Sequence, residues 1–531
     1  MPNSVLVIVD TAAIQSYIFS SNRLRESIGA SYLVAQATEA WAREALHDGV
    51  EVYAGGGNFV AQFPDGASAK AFSSELSERV LTNAPNLQLI IHHEAWHGSL
   101  RETVREGFKA LNKRSRARAI PHPLLGLGVT VMCHSTGLPA VGMTDEIRDK
   151  ESGEVDETSI YPASAEVLAK WAVVNDANKR LHSLHELKDS MVYPLDFDNL
   201  GRTKGEDSHI AVVHADGDGL GQLFQDLAAY DQPDEVYKTR IQKLSEVVNL
   251  SAQNALRHIL SALEHMVMRD ALEHFFIVSP SGEKIQLPVR TQKDGTQTPL
   301  FPFRPLVFGG DDVTFVCDGR LGLALAVEYL CRYEEETSYH LPAVGLPAKL
   351  LNGQTKLTAC AGIAMVKSHY PFARAYDLAE RLCGNAKKYR RKHNLESCFD
   401  WHFALSGLSG DLEEIRQREY TSDDGRSLVL RPVTLRENPQ QQHRAWAVVQ
   451  KGIDAFTQTP RNKAKALRDA LRQGDTSVAH FIAKFNEGNK LPDLGLGDFY
   501  RTTGWNDGSC GYFDALELAD HYLPLKELKE A

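Results

Sequence analysis

Two short apolar runs closing on Gly309-Gly310-Asp311-Asp312 constrain this chain more than any other feature. Apolar runs on either side of a glycine turn read as a β-hairpin, here Leu306 to Val316. Upstream, His209 to Asp216 is an apolar strand that ends on a carboxylate and runs into Gly217-Asp218-Gly219. The same theme occurs earlier in the chain. Val5 to Asp10 is a strand ending in a carboxylate, and the run from Val52 to Ala61 closes on Gly55-Gly56-Gly57-Asn58. One long-period repeat of this kind predicts a duplicated domain rather than a solenoid. Aligning the turns sets Gly57 against Asp311 and Asn58 against Asp312. The first copy therefore lacks both turn carboxylates, and chemistry that needs them falls to the second.

Between the strand and the hairpin of the second copy, Ile241, Leu244, Val248, Ala252, Leu256, Ile259 and Leu263 recur at helical spacing, and no Gly or Pro interrupts Asp234 to Val278. Ser279 to Pro302 is polar and reads as an insertion. A helix from Leu321 to Tyr333, a strand from Leu357 to Val366, a helix from Pro371 to Arg391 and a strand from Cys398 to Phe403 follow. The order β-α-β-β-α-β is that of a ferredoxin-like palm, with the helix after Pro371 peripheral to it. With 531 residues the chain is too long for one core. The predicted class is α+β: two ferredoxin-like (βαββαβ) palm domains in tandem, the first degenerate, plus a C-terminal helical domain. The expected bounds are 1–136 for the first palm, 137–200 for a partly helical connection, 201–405 for the second palm and 406–531 for the helical domain, which includes a helical pattern from Ala464 to Phe485.

Phosphoryl transfer between nucleotides needs divalent cations, hard oxygen ligands to hold them, and backbone close enough to cradle phosphates. In a palm, the hairpin turn packs beside the end of the first strand, so Asp216, Asp311 and Asp312 converge and repel one another unless a cation neutralises them. These three are the candidate catalytic and metal-binding residues, for Mg²⁺ or Mn²⁺. Gly309 and Gly310 would leave room for base and ribose, and Gly217 and Gly219 for phosphate. Asp218 lies in the glycine turn, where strand alternation lapses, and reads either as a ligand or as a turn former. Lys387 could hold a triphosphate as a point charge. His92, His93 and His97 read as strand residues rather than a metal site, and Cys133 with His134 as core.

Charge and cysteines narrow the function classes. A formal net charge of −11 argues against strong nonspecific nucleic-acid binding by this chain alone. Its basic clusters are short, Lys109 to Arg118 and Lys387 to Lys392, so any RNA signal is expected to arrive through partners. The seven cysteines show no C-x-x-C pair and suit a reducing compartment. A strand opens the chain almost at once, and no apolar run is long enough to span a bilayer. The cytoplasm is the expected location.

At these motifs the sequence resembles the large polymerase-like subunit of type III CRISPR effector complexes. The resemblance rests on Ile14 to Phe19, Leu24 to Ser31, Gly55 to Asn58, Ala215 to Gly221, Gly309 to Asp312, Ala361 to Ala364, His369 to Pro371, Ala386-Lys387, Asp400 to His402 and Arg431-Pro432. It implies ATP as substrate, cyclic oligoadenylates as antiviral second messengers, and Mg²⁺ or Mn²⁺ on Asp216, Asp311 and Asp312. It also implies two facing palms, with a second ATP near Gly56, Gly57 and Asn58, and other effector subunits as partners that bring guide and target RNA. Two departures follow from the same comparison: the first palm starts at residue 3, so the family's histidine-aspartate nuclease is expected to be absent, and of the cysteine-rich zinc module only Cys133 remains. A diguanylate-cyclase-like enzyme acting on GTP and a non-catalytic scaffold are the alternatives. Duplication within one chain favours the oligoadenylate reading over the first. An intact carboxylate set beside a degraded twin counts against the second.

Overall fold

The computed structural model describes residues 4–116, 128–147, 160–188, 191–201, 208–271, 274–279, 282, 284–291, 296–404, 410–485, 490–506 and 508–526. In the first palm, β1 (Val5–Ala12), β2 (Val50–Gly55), β3 (Asn58–Phe63) and β4 (Gln88–Ala95) form an antiparallel sheet of order β2-β3-β1-β4. Its helices of six residues or more are α1 (Ile14–Phe19), α2 (Leu24–Thr38), α3 (Gly66–Asn83) and α4 (Leu100–Arg116). Helices α5 (Ala165–Ala172) and α6 (Val174–Leu184) of the connection lie on α2. The approach is close enough that a Cβ on Gly29 would stand 1.9 Å from the Lys170 carbonyl oxygen.

The second palm repeats the first. Strands β5 (His209–Gly217), β6 (Phe303–Gly309), β7 (Asp312–Asp318) and β8 (Ala359–Lys367) take the order β6-β7-β5-β8. Each hairpin carries a register shift three residues before its first turn glycine, between Glu51 and Tyr53 in one and between Pro305 and Val307 in the other. A bulge kept at the same place in both copies re-aims both turns in the same way. Two further strands extend the second sheet, β9 (Cys398–Ala404) parallel to β8 and then β10 (Val433–Thr434).

Alternation along β5 divides the core. Ala211, Val213 and Ala215 face the cluster that includes α8 (Asp234–Glu264) and α9 (Gly322–His340), while Ile210 and Val212 face the cluster that includes α10 (Phe372–His393). Helix α10 is therefore not peripheral, as the strand order alone suggests. It lies so close to β8 that a Cβ on Gly362 would stand 1.9 Å from the Ala379 carbonyl oxygen. The parallel step from β8 to β9 needs a crossover helix, and that helix covers the open face of the sheet. Strand β8 is correspondingly buried from Ala359 to Val366.

Two other differences concern helix ends. The uninterrupted pattern after Asp234 ends at Glu264, and Val267–Arg269 and Phe275–Val278 are strands of the insertion. The aromatic and β-branched run Phe275-Phe276-Ile277-Val278 suits a pleated surface better than a helix. The pattern from Ala464 to Phe485 is two helices, α11 (Arg461–Gln473) and α12 (Asp475–Phe485), broken at Gly474 with φ 107°. No helix among the described residues is long and apolar enough to cross a membrane.

The palms share one packed boundary. Phe19 of α1 stacks on Tyr376 of α10, with ring centres 3.8 Å apart, and Gln15 donates to Glu380 at 2.7 Å. The C-terminal part is anchored to the second sheet by buried charge. Asp400 on β9 accepts from Arg416 and from Asn385 of α10, and fully buried Arg431 lies 3.4 Å from Asp514 and 3.0 Å from Glu517.

Candidate active site

The antiparallel register sets Asp312 directly opposite Asp216, and the Gly217 amide donates to the Asp311 carbonyl at 3.2 Å. Gly217 is required by packing here. A Cβ on it would stand 2.9 Å from the Asp311 Cβ. Burial, followed by the Asp216 and Asp312 carboxylates, pushes the Asp311 carboxyl up to about 7. Burial also raises Asp216, partly offset by Lys387 and reinforced by Asp312. Beneath the turn, the buried His214 imidazole is 3.2 Å from Asp312 Oδ1 and 3.1 Å from the Thr314 hydroxyl. Burial works against its protonation, and the Asp312 carboxylate more than offsets this, so His214 lies above its ordinary value.

Helix α10 meets this turn from the other side. Lys387 Nζ is 2.5 Å from Asp216 Oδ2 and 3.0 Å from the Gly217 carbonyl. Arg390 and Arg391 pair with Asp218 at 2.5 and 2.8 Å. The two readings of Asp218 thus meet a third: it is an anchor for α10. Lys387 faces a carboxylate rather than open solvent. Among the described residues no three acidic, histidine or cysteine side chains stand as a ready metal cage. The donor set nonetheless suits a hard cation. Burial and the neighbouring carboxylates raise both Asp216 and Asp311, a charge cluster that a cation would relieve.

The first palm presents its own turn to this one. A Cβ on Gly310 (φ 70°) would stand 3.1 Å from the Gly56 nitrogen and 3.2 Å from its Cα, and one on Gly56 would stand 3.9 Å from Asp311 Oδ1. The room beside Gly310, read from sequence as space for base and ribose, is taken by the opposite turn. Gly309 has Arg180 Nη2 3.7 Å from its Cβ direction, and Gly219 has open space at the start of α7 (Leu220–Ala229). Gly57 (φ 78°) lies against Thr11 and Ile14, and Asn58 donates to the Gly56 carbonyl at 3.2 Å. Asn58 sits opposite Asp10 in the register, as Asp312 sits opposite Asp216, so the first copy keeps its strand-end carboxylate. Burial pushes Asp10 up to about 6.

Helix α8 ties the two turns together. Ser245 donates to the Ala54 carbonyl at 2.8 Å, and one helical turn on, Asn249 accepts from the Gly310 amide at 3.1 Å. Gln242, Ser245, Asn249 and Gln253 all line the cleft between the turns. Their spacing of three, four and four places them on one face of the helix, beside its buried apolar face, and is legible in the sequence. Lys109, Lys113 and Arg116 line a cavity that reaches Gly310 and Asp311, while Arg118 lies outside the described residues. His92 and His97 bond to Glu94 and His93 to Ser73, and Cys133 is buried with Tyr161 and Ala163.

Residues 209–396 match the family model described as Cas10/Cmr2, second palm domain. No curated protein matches the chain in sequence. Among solved structures, the chain is similar to a Csm1-Csm4 cassette in complex with AMPPNP, at 14% identity and a TM-score of 0.51, over 98% of this chain and 70% of that one. It is also similar to Csm1 in T. onnurineus, at 14% identity and a TM-score of 0.44, over 98% of this chain and 69% of that one. The matched segment holds both β5 and the Gly309–Asp312 turn, and the same topology stands beside it in the first palm. Residues 209–396 are thus similar to the second palm domain of Cas10/Cmr2, within a fold similar to that of the Csm1-Csm4 cassette.

Proposed function

We propose that this chain is a metal-dependent nucleotidyltransferase that joins ATP into cyclic oligoadenylate-type products in CRISPR-linked antiviral defence. One observation carries the reading. The two glycine turns meet at Gly310 and Gly56, beside a shared cleft, and only the second palm's turn carries carboxylates, Asp311 and Asp312. A cleft of this kind suits two nucleotides in unequal roles, one activated at the carboxylates and one presenting its ribose. Units 1–136 and 201–405 then form two halves of one site, with 137–200 as the connector.

Asp216, Asp311 and Asp312 would hold Mg²⁺ or Mn²⁺, which supplies Lewis-acid stabilisation of the phosphoryl oxygens. The chain's own groups position the reactants. Lys387 is placed to exchange its Asp216 partner for a triphosphate oxygen. Gly217, Gly219 and Gly309 keep the backbone free of side chains around that nucleotide, and Gly56, Gly57 and Asn58 bound the place of the second. Binding of an ATP analogue by the similar Csm1-Csm4 cassette supports an adenine nucleotide as substrate. That cassette also supports effector subunits as partners, through which guide and target RNA would act.

The test is mass spectrometry of products after incubation with all four NTPs and Mg²⁺ or Mn²⁺. Adenine-only cyclic products are expected. Guanine products would favour the GTP alternative, and no product, with or without partner subunits and target RNA, would leave the scaffold.

A further inference from the structure

At the end of the second sheet away from the Gly309–Asp312 turn, a cavity of about 360 Å³ lies between the palm and the C-terminal part. Its palm side is the start of β5 and the end of β7, where Asp318 stands opposite Ile210 in the register. His209 and Arg320 line it there, and Arg461, Lys465, Asp520 and His521 line it from the C-terminal side. Arg461, Lys465 and Asp520 also line a second cavity, of about 180 Å³, together with Arg468. Arg461, Lys465 and Arg468 recur at spacings of four and three, so one face of α11 turns a row of cations toward both cavities.

Cations placed one helical turn apart repel one another, and the acids nearby relieve little of this. Asp318 is held by Arg320 through two bonds of 3.0 Å, and Asp520 lies 3.3 Å from Arg461. Asp469, the one acid of α11, lines neither cavity. Lys465 and Arg468 form no ion pair among the described residues. Burial, and then the neighbouring His209, hold the His521 imidazole below its ordinary value, and Arg320 acts in the same direction. The row from Arg461 to Arg468 is about 10 Å long, more than one carboxylate or one halide ion spans. Linked phosphates suit it, since each offers several acceptor oxygens to Lys and Arg. Buried Met365 and Phe403 form an apolar part of the wall, which strengthens the attraction of cation for anion.

We infer that this groove binds a small polyphosphate anion, held by Arg461, Lys465 and Arg468, which bridges the C-terminal helices to the second palm. Strands β5 and β7 connect the groove to Asp216 and Asp312, about 20 Å away, so the bound anion ties the C-terminal helices to the far ends of the strands that carry the candidate site. Binding here is independent of the proposed synthesis.

The test is calorimetric titration of inorganic pyrophosphate into the full, metal-free chain at constant ionic strength. It compares the parent, the Lys465→Glu/Arg468→Glu variant, the milder Lys465→Gln/Arg468→Gln variant and Lys387→Met, which marks binding at the palm junction. A binding event is expected that charge reversal weakens about tenfold or more, that the neutral variant weakens less, and that Lys387→Met leaves unchanged. Thermal melts run beside the titrations. Pyrophosphate should raise the melting temperature of the parent and not of the reversed variant. Without ligand, the neutral variant should melt at the parent's temperature or above, because the repulsion along the row is gone. No event in the parent, an event that survives charge reversal, an event lost with Lys387 instead, or a neutral variant that melts lower would overturn the assignment. So would displacement of pyrophosphate by chloride at equal ionic strength, which is screening alone. Displacement by a lower concentration of single-stranded RNA would make the row a nucleic-acid surface and overturn it too.

Discussion

Lys387 Nζ sits 2.5 Å from Asp216 Oδ2, so a cation from α10 already occupies one oxygen of the carboxylate that the proposed metal needs. Metal and lysine compete for that oxygen, and a triphosphate gives the lysine somewhere else to go. Replacing Lys387 by Met should raise the KM for ATP about tenfold, a loss of ~1.4 kcal/mol. The Mg²⁺ concentration giving half-maximal rate should stay level or fall. A variant that needs more Mg²⁺ at unchanged KM would show that the lysine serves the metal rather than the nucleotide.

The raised Asp311 carboxyl predicts a pH effect on stability. Its value in the fold, about 7, lies above the unfolded value near 4, so its contribution is fully present below pH ~4 and is lost as pH rises through about 7. The metal-free chain should therefore melt at lower temperature at pH 8 than at pH 5.5. Asp311→Asn should flatten that difference, and Mg²⁺ should restore stability at pH 8 in the parent only. Thermal melts across this range, with and without Mg²⁺, check all three expectations. A parent that gains stability between pH 5.5 and 8 would contradict the electrostatic description of the turn.

Ser245 and Asn249 hold the two turns on one helix. Asn249→Ala leaves the Gly310 amide without its acceptor, which costs about 1–3 kcal/mol where water does not replace it. Synthesis should fall about tenfold in either Ala variant. The double variant should lose less than the product of the two, because both act on the same alignment. Multiplicative losses would show that the contacts act independently.

How much of this was legible in sequence follows from what each signal depends on. The hairpins, the strand-end carboxylates and the degenerate twin are local patterns, and β5 with the Gly309–Asp312 turn stands where such patterns place it. The role of α10 was hidden because strand order says nothing about which face a later helix covers, and the sequence, which offers Lys387 as a cation for a triphosphate, does not show that it pairs with Asp216. The basic end of α4 was hidden for the same reason: net charge and cluster length describe a free surface, whereas Lys113 and Arg116 line a cavity shared with the second palm. Asp218 shows the converse. A carboxylate in a glycine turn beside a candidate metal site is paired with two arginines instead.

With α4 facing a cavity and α10 committed to Asp216 and Asp218, few basic residues of the two clusters remain to track an RNA backbone. The isolated chain should bind single-stranded RNA weakly, with affinity falling steeply as salt rises. A salt titration checks this, and tight binding that persists at ~0.2 M salt would show direct sensing of nucleic acid by this chain.

The most direct measurement is product formation from ATP by the parent and by Asp311→Asn/Asp312→Asn, read by mass spectrometry beside a thermal melt of each, in the presence of partner subunits and target RNA. The carboxylate cluster at the palm junction predicts cyclic adenylate products from the parent and none from the variant, which should melt at the same temperature or slightly higher without metal. Equal synthesis by the two proteins would contradict the assignment of chemistry to the Asp216, Asp311 and Asp312 cluster.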